Sequence, residues 1–427
     1  MTRILFIMLL GLGVAQAQTN GNKTLSLAEA RDLALHNHPQ ISAANFRALA
    51  AAQGVKEARA AFFPQANIVA TAAAADSVNT RIEAGALNNP SIFDRGAEGL
   101  IVNQLITDFG RTANLTASAK SQARAEERNA DATRHQVLLL AEVDYLAALQ
   151  ARSLVQVARQ TLDTRELLYR QVTALASNQL RSDLDVSFAS VALEEGRLLM
   201  EKTDNDAQAA DAMLEAALGL REPAHFQLEE QSPPDNVSTN ISDLFWQALS
   251  RRPELQSLRN QKESAQRLAL SQRDARLPTV AAVGTVGNSY AHDKRLPDNY
   301  GAAGMTLTIP IFAGGLYTAR QNAAELRAHA AEENLRAEED EITRDVRLAW
   351  LNLNNAIQRL RTTEQLLKHA TKAWQLADAR YRVGTSSIVE LSQAQLALTS
   401  AKISQTTARY DALIQRANLN YQTGGSE

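Results

Sequence analysis

Between Arg111 and Glu195 the chain runs for 85 residues without a glycine or a proline, and from Leu316 to Val383 it does so again for 68. Both stretches are rich in Ala, Leu, Glu, Gln and Arg, and nothing in them stops a helix. A helix of that length is on the order of 100 Å long at about 1.5 Å per residue, whereas a helix of an ordinary globular domain has about 11 or 12 residues. The second stretch also carries a seam. Steps of four and three from Ile342 pass through Val346, Ala349, Leu353, Ala356, Leu360, Thr363, Leu367, Ala370, Trp374, Ala377 and Tyr381, and eleven of these twelve positions are apolar. Moved back by 205 residues, the same steps read Val137, Ala141, Asp144, Ala148, Ala151, Val155, Ala158, Leu162, Arg165, Tyr169, Val172 and Ala176, of which ten are apolar. A 3.5-residue spacing held this long implies coiled-coil packing. Aromatic residues make up only 5% of the chain, too few for a wide globular core. The expectation is a rod or a tube.

The common phase of the two seams reflects a duplication. "ALHNHPQI" (34–41) is echoed by "ALSRRPEL" (248–255), so that Pro39 matches Pro253 at an offset of 214. Pro64 matches Pro278 at the same offset. Further on, "LITDFGR" (105–111) aligns with "IPIFAGG" (309–315), with Gly110 on Gly314 at an offset of 204, which leaves ten extra residues in the first copy. Gly219 and Gly424 close the copies at 205. The chain is two copies of one unit. The expected division is 18–220 for the first copy, 221–240 for a polar linker with three prolines, 241–424 for the second copy, and a short tail at 425–427. Within the copies, strands are expected at about 65–107 and 279–312, and long helices at about 111–218 and 314–422.

The segments rich in helix breakers read as strands. In "GMTLTIPIF", Met305, Leu307 and Ile309 alternate with Thr306 and Thr308, and "TVAAVGTVGNS" puts Val280, Ala282 and Val286 on one side. "QANIVATAAAAD" (65–76) and "AEGLIVNQLIT" (97–107) fill the matching places. Strands of about ten residues with one apolar side suit a membrane barrel, and they equally suit a soluble hairpin capping a helical domain. Four strands are too few to close, and an open sheet in lipid exposes unpaired backbone at its edges. If the hairpins lie in a membrane, several chains must share one barrel.

The N-terminal "MTRILFIMLLGLGVAQAQTN" has the layout of a secretory signal peptide, with cleavage after Ala17. Beyond it no apolar run is long enough for a transmembrane helix. The chain has no cysteine, and its net charge of −3 gives no basis for nucleic-acid binding. No catalytic triad, phosphate loop or zinc-binding spacing is present. His36 and His38 lack spaced partners, and the second copy has Ser250 and Arg252 in their places. They read as helix-end residues. The expectation is therefore no enzymatic activity, no cofactor and no metal.

The doubled "AL-x-x-x-P" helix, the "IPIFAGG" junction and the tip sequence "YRVGTSSIVELSQAQLALTSAK" (381–402) resemble the TolC-like outer-membrane efflux proteins. The resemblance implies a mainly α fold with a small β part. Two tandem repeats of strand, strand, long helix and shorter helices would form, in a homotrimer, a 12-stranded outer-membrane β-barrel continued by a 12-helix periplasmic α-barrel tunnel. It implies a passive exit duct joined to a periplasmic adaptor and an inner-membrane pump, for small-molecule efflux or type I protein secretion. The rival reading is a soluble periplasmic coiled-coil adaptor or scaffold.

A duct needs a gate, and the helical tips are where the chain turns back. Gly384 breaks the second long helix, and Asn178 and Gln179 occupy the equivalent turn, where the family usually has a glycine. The resemblance implies a periplasmic aperture built from Asp183, Asp185, Tyr381, Glu390 and Gln393. Ser386 stands where the family's arginine is expected and Gln393 where a second acid is expected, so Arg181, Arg380 or Arg382 would have to supply the salt bridge. Two plainer roles remain open. Tyr381 ends the seam and could be core packing, and acids in a first helical turn stabilise the macrodipole.

Overall fold

The computed structural model describes residues 23–74, 95–224, 226–234, 240–291 and 297–425. The expected leader and the end of the expected tail lie outside these residues.

Two helices open each copy. α1 (Leu27–Asn37) and α2 (Pro39–Ala60) have 11 and 22 residues. Two strands follow, β2 (Gln65–Ala73) and β3 (Arg95–Thr107), and then α3 (Arg111–Ser177) and α4 (Asp183–Ala217), of 67 and 35 residues. The second copy repeats every helix length: α5 (Ile241–Arg251), α6 (Pro253–Asp274), α7 (Leu316–Arg382) and α8 (Ile388–Gln422). Its strands are β5 (Thr279–Ala291) and β6 (Asn299–Thr308). Pro39 and Pro253 sit in the first turn of their helices and hold His38 and Arg252 extended, at ψ 121° and 124°.

The junction before the long helices departs from the expected alignment. Gly110 and Gly315 are the N-cap residues of α3 and α7, both with positive φ, so Gly110 corresponds to Gly315 rather than Gly314. The offset from there on is 205, and the first copy carries nine extra residues rather than ten. The second hairpin also stops at Thr308 instead of reaching 312. Pro310 has no N–H to give to a ladder, and 309–315 forms an irregular link into α7.

The helices form one layer, in the order α2–α3–α6–α7 in its upper half and α4–α3–α8–α7 in its lower half. The seam is buried as its spacing requires. Nine of the twelve α7 positions are buried, and the α3 positions are buried or half-buried. Arg165, one of the two polar intrusions, is 5% exposed. Its Nη1 donates to the Ala192 carbonyl at 2.7 Å and meets the Glu195 carboxylate at 3.2 Å. Gly196 makes room for it, since a Cβ there would stand 3.2 Å from the arginine Cδ.

A small domain flanks the layer. β1 (Lys23–Leu25) pairs in parallel with β4 (Phe226–Leu228), which lies in the segment expected as linker. Buried Tyr145 of α3 anchors it: its hydroxyl lies 2.8 Å from the Leu25 carbonyl and accepts the Glu229 amide at 2.9 Å.

The four long strands form one antiparallel sheet in the order β2–β3–β5–β6, with β2 and β6 as its edges. Pairing puts Ile68, Leu100 and Val286 in one cross-strand row, and Met305 and Leu307 further along the same face, all exposed. Asn67, Asn103, Thr285, Thr306 and Thr308 lie on the other face.

Candidate functional site at the helical tips

α3 and α7 end in five-residue turns of the same build. After α3 the chain passes through Asn178, Gln179, Leu180, Arg181 and Ser182, and after α7 through Val383, Gly384, Thr385, Ser386 and Ser387. In each turn one residue adopts the left-handed conformation, Gln179 at φ 60° and Gly384 at φ 78°. Leu180 N–H donates to the Leu175 carbonyl at 2.9 Å and Thr385 N–H to the Arg380 carbonyl at 2.9 Å, which satisfies carbonyls at the helix ends. The Asn178 side chain caps a further one, that of Ala174, at 2.8 Å.

The two outgoing helices are capped by Ser182 and Ser387, whose hydroxyls accept the Asp185 and Glu390 amides at 3.2 Å. The matched acids then diverge. The Asp185 carboxylate returns to the Ser182 amide at 3.2 Å and completes a capping box. Glu390 instead turns to the end of α7, where Arg380 Nη1 donates to it at 2.8 Å and the Ser386 hydroxyl at 2.5 Å. Of the three candidate arginines, Arg380 is the one that pairs with Glu390, and Ser386 is a second donor to the same carboxylate. Both charged partners are about half exposed, so the pair contributes at most about 1 kcal/mol. Arg382 pairs with Asp378 at 2.9 Å along its own helix and stays outside this cluster.

Arg181 takes another course. Its guanidinium lies over the Tyr381 ring, 4.5 Å from the ring centre, and its Nη2 is 3.5 Å from the Tyr381 carbonyl. Tyr381 is buried among Leu168, Val172, Ala189, Ala377, Ile388 and Leu391, a cluster drawn from both hairpins. The packing role and the tip location therefore coincide in this residue. Burial pushes the Tyr381 hydroxyl above the usual phenol range, with the Arg181 charge opposing and the Asp185 charge adding to the rise. Among the described residues the buried hydroxyl has no hydrogen-bond partner.

Asp183 stands in the first turn of α4, where its charge faces the positive end of the helix. Gln393 lies apart from the Tyr381 cluster. It lines a groove of about 220 Å³ between α4 and α8, together with Arg165, Phe188, Val389 and Gln395. The Arg181 stack and the Ser386 bond were not apparent in the sequence. Ser386 and Glu390 do have i,i+4 spacing, the one local signal that could have paired them. Among the described residues no cluster of His, Asp and Glu could hold a metal ion.

The family model for outer membrane efflux proteins matches residues 30–220 and 244–425. The chain is 23% identical over 388 residues to the outer membrane protein TolC of Salmonella enteritidis, covering 88% of this chain and 77% of that one. It is 24% identical over 441 residues to the proteases secretion protein PrtF of Dickeya chrysanthemi, covering 99% and 92%. The solved structure of the Campylobacter jejuni CmeC outer membrane channel superposes with a TM-score of 0.80 at 18% identity, over 100% of this chain and 95% of that one, and so shares its fold. The chain belongs to the outer membrane efflux protein family and is a transport channel of the outer membrane.

Proposed function

We propose that three copies of this chain form one continuous exit duct, engaged at its periplasmic end by an adaptor and an inner-membrane pump, and closed at rest by the helical tips. The observation that carries this reading is the sheet with two open edges. Its apolar face, with Ile68, Val286, Met305 and Leu307 exposed, suits lipid, while lipid does not tolerate the unpaired edges of β2 and β6. Pairing β6 of one copy with β2 of the next removes every edge. The helical layer, open at α7 on one side and at α2 and α4 on the other, closes by the same operation. Residues 1–17 act as a cleaved leader, 18–220 and 241–424 as the two repeats, and 221–240 as the connection between them.

The duct moves its cargo without chemistry, and the pump supplies the energy. TolC-type and PrtF-type names among the relatives support efflux or protein secretion as the setting. At the tips, Asp185 and Glu390 from three copies supply six carboxylates, a ring that favours cations and disfavours anions. The test is single-channel recording in planar bilayers. The unaltered protein gives stepwise, cation-preferring currents, and the combined Asp185→Ala, Glu390→Ala variant raises conductance and weakens the preference. Stepwise currents with unchanged conductance and selectivity in the variant would remove these acids from the aperture. A stable monomer without pore currents would end the duct reading.

A further inference from the structure

On the face of the sheet opposite Ile68, one cross-strand row reads Val69, Gly99, Gly287 and Tyr300. The row lies near the end of the sheet remote from the long helices, because Tyr300 is the second residue of β6 and α7 follows the other end of that strand. Tyr300 lies along the sheet instead of standing out from it. Its side chain crosses β5, and its hydroxyl donates to the Glu98 carbonyl of β3 at 3.3 Å. The phenol is accordingly half-buried.

The path is open because the two strands it crosses carry glycine in that row. A Cβ at Gly287 would run into the Tyr300 ring and the Glu98 carbonyl oxygen. A Cβ at Gly99 would run into the phenol hydroxyl, with the nearest backbone atom, the Val286 carbonyl oxygen, 3.3 Å away. Neither glycine has a positive φ, so the row requires space and not an unusual backbone conformation. Glycine inside a strand weakens it and marks a place where another group comes close to the backbone. Here that group is an aromatic ring, which covers the bare backbone of both glycines.

Resting on the reading that three copies share one barrel with this face inward, we propose that Gly99 and Gly287 form a seat that holds Tyr300 flat on the barrel wall near its outer mouth, and that this seat sets the width of cargo the duct can release. One such ring comes from each copy. Seated, the three rings take little of the bore. Lifted from their seats, they point inward and narrow the mouth, and the width of the lining decides what passes. The two glycines are thus positioning residues that act on the bore through Tyr300. The hydroxyl bond to Glu98 fixes the far end of the ring in the seat.

The test uses the whole protein in planar bilayers, with neutral polyethylene glycols of graded size added on the outer side. A polymer that enters the barrel lowers the single-channel conductance, so the largest polymer that does so measures the mouth. Gly99→Ala is the cleaner substitution, since there the added methyl displaces a side chain and leaves the backbone in place. It shifts the cut-off to smaller polymers, and adding Tyr300→Ala to it restores the original cut-off. Circular dichroism and oligomer mobility confirm that each variant is folded and assembled. An unchanged cut-off in Gly99→Ala overturns the proposal, as does a shift that Tyr300→Ala fails to reverse. Should Gly99→Ala not assemble, Tyr300→Ala alone decides: a cut-off equal to that of the unaltered protein supports the seated ring, and a larger one shows that the ring already obstructs the bore. If the unaltered protein gives no pore current, the shared-barrel reading fails first.

Discussion

At position 38 a histidine closes one helix and opens the next. His38 is the C-cap of α1 and the N-cap of α2, and its Nδ1 accepts the Gln40 amide at 3.3 Å. Only an unprotonated nitrogen can accept that bond, and burial lowers the His38 pKa below its ordinary value of 6.5. The fold thus favours the neutral ring. Its contribution is fully present above pH 6.5 and is lost as the pH falls through the lower, folded-state value. We expect thermal stability to drop between about pH 8 and about pH 5, and His38→Asn, which keeps a capping acceptor, to reduce that drop. Melting curves at several pH values check this, and an equal drop in both proteins would count against it. The second copy has Arg252 at the same place. A guanidinium has no acceptor for a cap, and Arg252 instead donates to Gln422 at 3.0 Å. The sequence read both histidines as helix-end residues, and the structure places His36 in the last turn of α1 and His38 at the cap; that the His38 ring itself caps α2 depends on backbone geometry the sequence does not carry. Arg165 is a similar case. It stood out as a charge on an apolar seam, yet the glycine that accommodates it lies on another helix, and only the mutual phase of α3 and α4 brings them together.

The helices were legible at the scale of whole elements because their limits are set by local chemistry. Gly110, Gly315, Pro39 and Pro253 stand at or beside helix starts, where their backbone properties act directly. The strands β5 and β6 were legible from alternation, since one side meets a different environment from the other. β1 and β4 were not, because three residues carry no period and the pair is joined across about 200 residues of chain. The tips were legible as turns but not as contacts, for the stack of Arg181 on Tyr381 spans 200 positions. Gln179 leaves a testable mark on its element. A side chain at φ 60° costs roughly 1–2 kcal/mol relative to a right-handed conformation, a cost that glycine avoids. Gln179→Gly therefore firms the end of α3 by about 1 kcal/mol, and Gly384→Gln loosens the end of α7 by a similar amount. Amide hydrogen exchange over 172–182 and 377–387 measures both, with slower exchange in the first variant and faster in the second. No change in either segment would mean that the turn conformation is not the limiting strain.

For the whole molecule, one operation answers two separate needs. The sheet must lose its edges before it can rest in lipid, and the helical layer must cover α7 against α2 and α4. A head-to-tail repeat of the chain around an axis does both, and it closes because each copy offers one edge of each kind. The absence of cysteine makes this directly measurable. Cysteines placed at Val69 on β2 and at Ala302, Gly304 or Thr306 on β6, all on the face opposite Ile68, can meet only between neighbouring copies, because β3 and β5 separate the two strands within one chain. Oxidation of the best-matched pair in outer membranes gives a covalent trimer that reducing agent returns to monomers, and a single cysteine at Val69 gives none. A ladder that stops at dimers would show that the edges meet face to face and leave the ring open. A trimer that forms while the tips still conduct poorly would place the remaining barrier at the periplasmic end, where Arg181 and Tyr381 stand.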